Sequence, residues 1–306
     1  MNSAPSRPDY IRLRTALLAN AAFSFLCGSV LTLLSARIGS VLGENVPGLI
    51  VETIGIALVP FGLFAAWVAT RRFPPMTLAL FISVADLAWV VGSMVLIAIA
   101  RDALSGAGLG LVGVVALVVF AFAAGQLRGI AHAYRPNPGE PRQIRVCIAV
   151  HTAGDAETVW RNVADMGNMA RFAPVLATSA MRDGETPQVG AVRECSDHAQ
   201  RRWAERCSRL DASRRELDVE FLAHEPGFPF PFVALRGGWR VQSESTGAVV
   251  SIWWEGTLRH AMLAAVLPVL LAWQARRQFA VVVGRMAMGE LSKTSVPPTL
   301  LSVVPS

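Results

Sequence analysis

Lysine is nearly missing from this 306-residue chain: of its 28 basic residues, Lys293 alone is not arginine. That excludes a P-loop, whose phosphate contact is a lysine, and it leaves Schiff-base chemistry a single amine. Charge of either sign is also scarce. Charged residues are 16% of the chain and hydrophobic residues 53%, where a soluble domain carries about 25% charged. The four cysteines (Cys27, Cys147, Cys195, Cys207) show no Cys-x-x-Cys spacing, so they read as reduced thiols and offer neither a disulfide scaffold nor a zinc site. GxSxG and HExxH are absent. His132, His151, His198, His224 and His260 have no metal-ligand spacing. Neither a metal nor a cofactor is implied.

The shortage of charge is uneven. Residues 15–130 hold nine charged side chains and residues 131–306 hold thirty-seven. One half suits lipid and the other water. The net charge of +6 spreads along the chain without a dense basic run, so no nucleic-acid partner is expected.

Four apolar runs, Thr15–Ala36, Leu49–Ala69, Met76–Ala100 and Leu109–Leu127, are each long enough to cross a hydrocarbon core, which takes about 20 helical residues. The first exceeds the apolar stretch of a signal peptide, about 7–15 residues. Arg7, Arg12, Arg14, Arg71, Arg72, Arg128, Arg135, Arg142 and Arg145 flank the spans on one side, and Arg37 and Arg101 on the other. The positive-inside rule then puts both termini and the C-terminal half on the cytoplasmic side of the inner membrane.

Polar residues interrupt these spans. Glu52 sits near an end of the second, within reach of headgroups, while Asp86 is near the middle of the third. An ionised Asp at that depth costs roughly 2.5–3.5 kcal/mol. Asp86 is therefore either a proton- or ligand-linked carboxylate, or a neutral group hydrogen-bonded to Asn20, Ser83 or Trp89 that fixes helix packing. Gly108, Gly110 and Gly113 match GxGxxG, but they open a membrane span and no acidic residue follows about 20 positions later, as a dinucleotide site needs. Close helix approach explains small residues there.

Beyond the Pro-rich stretch 133–142 the hydropathy period becomes two. Strands are predicted over Ile144–His151, Val175–Arg182, Val189–Ser196, Trp203–Leu210, Glu216–Ala223, Gly238–Glu244 and Ala248–Leu258. Short helices are predicted over Asp155–Val163, with Asp155 as N-cap, and Ala164–Phe172, and a long helix from about Trp273 to Leu291. Helices beside an antiparallel sheet make an α+β design.

The run Thr152–Trp160, then Asp165–Met169, then Phe172-Ala173-Pro174, with Gly190–Glu194 and the closing Arg276–Phe279, resembles the SRPBCC superfamily. That group holds START-like, polyketide cyclase/dehydrase-like and birch-pollen-allergen-like helix-grip proteins. The resemblance covers about residues 143–292. It implies a seven-stranded antiparallel sheet around a long C-terminal helix, with an apolar cavity between them. The expected organisation is thus a four-helix transmembrane domain (1–132), a linker (133–142), a helix-grip domain (143–292) and a flexible tail (293–306).

The cavity that the resemblance implies makes Phe172, and with it Phe221, Trp239 and Trp254 on the strands, either cavity walls or ordinary core, since aromatics dominate both. Arg193 with Glu194, or Glu255 beside Trp253 and Trp254, are the candidates for polarising a carbonyl or moving a proton, and surface charges otherwise. The run Ala261–Trp273, with Pro268 inside, is too short to span. Leu263, Val266, Leu267 and Leu270 would touch membrane lipids if it lies on the inner leaflet; it equally suits a cavity cap or the start of the long helix. The leading expectation is a membrane-anchored binder of a lipid-like or polycyclic apolar small molecule. A cyclase/dehydrase-type enzyme and a small transporter or sensor working through Asp86 are the alternatives. The oligomeric state is not readable.

Overall fold

The computed structural model describes residues 10–288 and 298–305. The chain divides at residues 133/134 into two compact units. The first contains helices α1 (Ile11–Leu33), α2 (Ser35–Leu42), α3 (Gly48–Thr70), α4 (Met76–Ile99) and α5 (Gly106–Ala133). All but α2 are long and apolar enough to cross a membrane. The short α2 was not foreseen: the chain breaks at Leu34 and re-enters a helix that packs on α3.

Helix α1 packs against α3 and α5, and α4 against α5. The α1–α3 crossing is close because it is built on glycine. A Cβ on Gly55 would stand 2.6 Å from Thr32 Oγ1 and 2.8 Å from the Gly28 carbonyl, and one on Gly62 would stand 2.9 Å from the Ala21 carbonyl. Backbones meeting at this range gain dispersion contacts that lipid cannot replace. The Gly108-Gly110-Gly113 trio behaves differently. Gly108 abuts Leu42, while Gly110 and Gly113 have nothing within 4 Å, so one of the three serves close approach. At the cytoplasm-predicted end of α3, Arg14 donates to the carbonyls of Arg71 and Arg72 at 2.7 and 2.8 Å. It thereby partners carbonyls at a terminus the helix cannot satisfy itself. Large apolar side chains face outward along the bundle, among them Leu26, Leu33, Val91 and Ile99, each more than 60% exposed. Such a surface is compatible with insertion into a membrane.

The second unit is an antiparallel sheet with helices on one face. Its strands are β1 (Gln143–Thr152), β2 (Leu176–Met181), β3 (Val192–Asp197), β4 (Arg202–Asp211), β5 (Glu216–Phe221), β6 (Phe232–Glu244), β7 (Gly247–Leu258) and β8 (Thr299–Pro305). Their spatial order is β2-β3-β4-β5-β6-β7-β1-β8. The count is eight where seven were expected, because β8 lies in the stretch read as tail. Without it β1 would be an edge with a row of unpaired backbone groups; β8 pairs along it from Val146 to His151. The remainder of that tail lies outside the described residues. Strand β6 begins at Phe232, six residues before its expected start at Gly238.

Helix α6 (Ala156–Ala164) starts at the expected cap: the Asp155 carboxylate accepts from the Thr158 N–H at 2.9 Å. The second short helix is a 3₁₀ turn, Met166–Arg171. Helix α7 (Leu267–Met288) starts six residues earlier than expected. Pro268 falls in its first turn, where a missing N–H costs nothing. Strand β1 alternates strictly between half-buried and buried residues. Its buried set is Ile144, Val146, Ile148 and Val150, of which Ile148 and Val150 join Val159, Trp160, Met166, Leu217, Val250, Ile252 and Val282 in one core.

Candidate functional site

The strand register decides which side chains face α7. Trp254 of β7 lies opposite Gly237 of β6 and Val146 of β1, and Trp239 of β6 lies opposite Leu217 and Ile252. Both tryptophans are therefore on the helix-facing side. Gly237 leaves the Trp254 indole room, since a Cβ there would stand 3.2 Å from Trp254 Cδ1. From α7, Phe279 reaches between the two, its ring centroid 5.5 Å from that of Trp239 and 5.0 Å from that of Trp254, both tilted. Such geometry suits the ring quadrupoles.

A second aromatic group gathers toward β4. Phe230 makes edge contacts with Trp203, Phe221 and Phe228 at 5.2, 6.4 and 5.3 Å. The four residues singled out from sequence thus separate. Trp239 and Trp254 share one cluster around Phe279, Phe221 belongs to the other, and Phe172 is 4% exposed within the core. Phe221, Trp239, Trp254 and Phe279 remain partly exposed while packing on that core. Sequence reasoning missed Phe279 as a wall, although it had marked the Arg276–Phe279 run. It also missed Phe230, which sits in a Pro-rich loop and carries no periodicity.

One polar group lies on the same face. Arg193 of β3 forms an ion pair with Glu205, directly opposite on β4, and donates to the Met166 carbonyl at 3.1 Å. The other Glu205 oxygen accepts from the Trp203 indole at 2.7 Å. Both charged residues are almost fully buried, 6% and 4% exposed. Burial opposes the Arg193 charge, but the Glu205 carboxylate more than offsets this and raises the guanidinium above its ordinary value. Arg193 Nε is buried with no hydrogen-bond partner. Next to the pair, the Cys195 thiol is pushed up to about 12, first by burial and then by Glu205.

Arg193 is therefore paired with Glu205, where sequence neighbourhood had pointed to Glu194. Adjacent strand residues face opposite ways, and Glu194 pairs with Arg182 on the other face at 2.8 Å. Glu255, the other candidate, meets Arg236 at 2.7 Å and Arg145 at 4.0 Å beside Trp253, facing away from Trp254. Two open clefts of about 430 and 420 Å³ lie elsewhere on the sheet. The first combines the charged Arg182, Glu194, Arg202 and Glu225 with Trp203, Leu222 and Phe228. The second, lined by Glu220, Arg236 and Glu255, lies on the face away from α7 and does not suit an apolar guest. Among the described residues no group of three or more His, Cys, Asp and Glu is placed to hold a metal ion.

In the membrane unit Asp86 is buried, and its Oδ2 accepts from Asn20 Nδ2 at 2.8 Å and from Gln126 Nε2 at 3.0 Å. Ser24 donates to Asn20 Oδ1 at 3.1 Å and Ser83 to Gln126 Oε1 at 2.9 Å. The network ties α1, α4 and α5 together, and every partner is a neutral amide or hydroxyl. Ser83 reaches Asp86 through Gln126, a residue the sequence reading had not singled out. Glu52 lies near the start of α3 and is half-buried.

Residues 143–287 match the family described as polyketide cyclase / dehydrase and lipid transport. Over those residues the chain is similar to polyketide cyclase/dehydrase-type helix-grip domains. Solved structures that it is similar to include Thalictrum flavum norcoclaurine synthase with dopamine and hydroxybenzaldehyde, at 13% identity and TM-score 0.40 over 51% of this chain and 95% of that one. Another is the Zhui aromatase/cyclase from Streptomyces sp. R1128, at 17% identity and TM-score 0.40 over 51% and 99%. A third is the Panax ginseng major latex-like protein 151, at 12% identity and TM-score 0.34 over 42% and 93%. No curated protein matches the sequence.

Proposed function

We propose that this protein is a membrane-anchored binding protein for a lipid-like or polycyclic apolar small molecule, held between the sheet and α7 of its helix-grip domain. The observation that carries the reading is the state of the helix-facing rings. Phe221, Trp239, Trp254 and Phe279 lie against the core yet remain partly exposed, so the helix-facing side of the sheet presents ring surface that the core does not cover. Flat aromatic walls with few polar groups suit an apolar guest. The matched family's description, which includes lipid transport, agrees with this. The four apolar helices would supply the anchor, and the arginine asymmetry supports a cytoplasmic side for both termini and the domain.

An enzymatic reading draws on the Arg193–Glu205 pair, an ionic group on the cavity face. Both Glu205 oxygens are engaged and the guanidinium holds its proton, so the pair suits polar anchoring better than proton transfer. A transport reading draws on Asp86 and its polar neighbours Asn20 and Gln126. Without a second ionisable group in the network there is no relay, and packing is the better account.

The test is native mass spectrometry of the detergent-purified chain. We expect a co-purified apolar adduct whose occupancy falls several-fold in Trp239→Leu and Trp254→Leu. Leucine keeps apolar volume and removes the flat ring, so stability should drop by only about 1–3 kcal/mol. Unchanged adduct occupancy in both variants would remove the pocket assignment.

A further inference from the structure

We infer that the segment from Met262 to Arg277 is a docking surface for an anionic lipid bilayer. The inference concerns the outside of α7 and is independent of what the cavity holds. Met262, in the 3₁₀ turn Ala261–Ala264, is 86% exposed; Val266, Leu270 and Trp273 follow at 36%, 50% and 45%. Leu270 and Trp273, three residues apart on α7, share one face of the helix; Val266 immediately precedes its first residue, and Met262 lies in the turn before it. The opposite side of the segment is anchored: Ala264, Ala265, Val269 and Ala272 are buried in the domain. The exposed side chains thus line an ordered apolar segment.

The structure changes the membership of this surface. Of the four residues expected to touch lipid, Val266 and Leu270 face outward, while Leu263 and Leu267 are half-buried. Met262 and Trp273 take their places.

Charge selects the occupant. From Arg259 to Met288 the chain holds Arg259, Arg276, Arg277 and Arg285 and no Asp or Glu. The Arg277 guanidinium lies 4.1 Å from the Trp273 ring centroid, which places a cation at the end of the apolar segment. Apolar side chains bordered by Trp and Arg fit the boundary between acyl chains and anionic headgroups. A second copy docking by two-fold symmetry would set the same arginine-rich face against itself, and the charges would repel. Phe279, which packs between Trp239 and Trp254, is carried on the same helix.

The experiment uses the full chain reconstituted into phosphatidylcholine vesicles, with or without phosphatidylglycerol. Leu270→Cys carries a nitrobenzoxadiazole label, Val189→Cys outside the segment is the control, and the native thiols are measured on the parent chain. We expect spin-labelled lipid to quench position 270 several-fold more than position 189, and more so with phosphatidylglycerol. Arg276→Gln and Arg277→Gln should each lower the docked-to-free ratio by about fivefold, the worth of one arginine near an anionic surface. Position 270 open to aqueous iodide and unquenched by lipid would overturn the inference. So would a label shielded from both quenchers, the mark of a protein partner or a second copy.

Discussion

Arg193 shows how far a single residue can be read from sequence and where the reading stops. Its place as a charge on a predicted strand was legible. Its partner was not, because choosing between Glu194 and Glu205 needs the β3–β4 register, and a one-residue slip exchanges the faces. The pairing carries an energetic consequence. Arg193→Met leaves the Glu205 carboxylate buried without its cation, and breaking such a pair costs about 3–5 kcal/mol. The double variant Arg193→Met with Glu205→Leu removes both charges and should recover most of that loss. Chemical denaturation of the purified chain, followed by tryptophan fluorescence, measures both. A double variant as unstable as the single would show that the pair is not the unit. The neighbouring thiol gives a second check. With its pKa pushed up to about 12 by burial and by Glu205, Cys195 holds almost no thiolate near pH 8, and the thiolate is the reacting species. Iodoacetamide should therefore modify Cys195 only after unfolding; rapid modification of the folded chain would contradict its environment.

At the level of elements, long apolar runs and strict alternation were the legible parts. Spans α1, α3, α4 and α5 and strands β1 to β7 follow from period and length, with boundaries shifted by a few residues. What stayed hidden depended on tertiary partners. Strand β8 exists because β1 needs a neighbour, which nothing local in a short segment after two prolines announces. The early start of α7 depends on Pro268 being in a first turn, a placement decided by Ala264 and Val269 packing beneath it. Helix contacts were legible only as a preference for small residues, and the structure sorts them. Gly55→Leu should disrupt the bundle, since even a Cβ meets Thr32 and Gly28 below 3 Å and α1 must move away. Gly113→Ala, with open space around it, should fold normally and gain slightly from the better helix former. Thermal unfolding in detergent should separate the two clearly, and equal behaviour would show that the α1–α3 crossing is not glycine-limited.

For the whole molecule, the placement of charge is the strongest signal, and it acts before any packing does. A run such as Leu49–Ala69 is able to span because too few polar groups resist it, and the expected orientation comes from where the arginines lie. Nine arginines flank one side and two the other. Arg14 adds a structural role to its charge by donating to the Arg71 and Arg72 carbonyls, so the same residues that set orientation also finish a helix. The C-terminal unit carries most of the remaining charge, and the docking proposed for its Met262–Arg277 surface requires the leaflet on that side. Alkaline phosphatase, active only outside the cytoplasm, should thus be active when fused after Asp102 and inactive after Arg142, with green fluorescent protein showing the reverse. Phosphatase activity after Arg142 would put the domain outside. It would also leave the Arg277–Trp273 surface facing the opposite leaflet, so the docking experiment and the fusion experiment constrain each other.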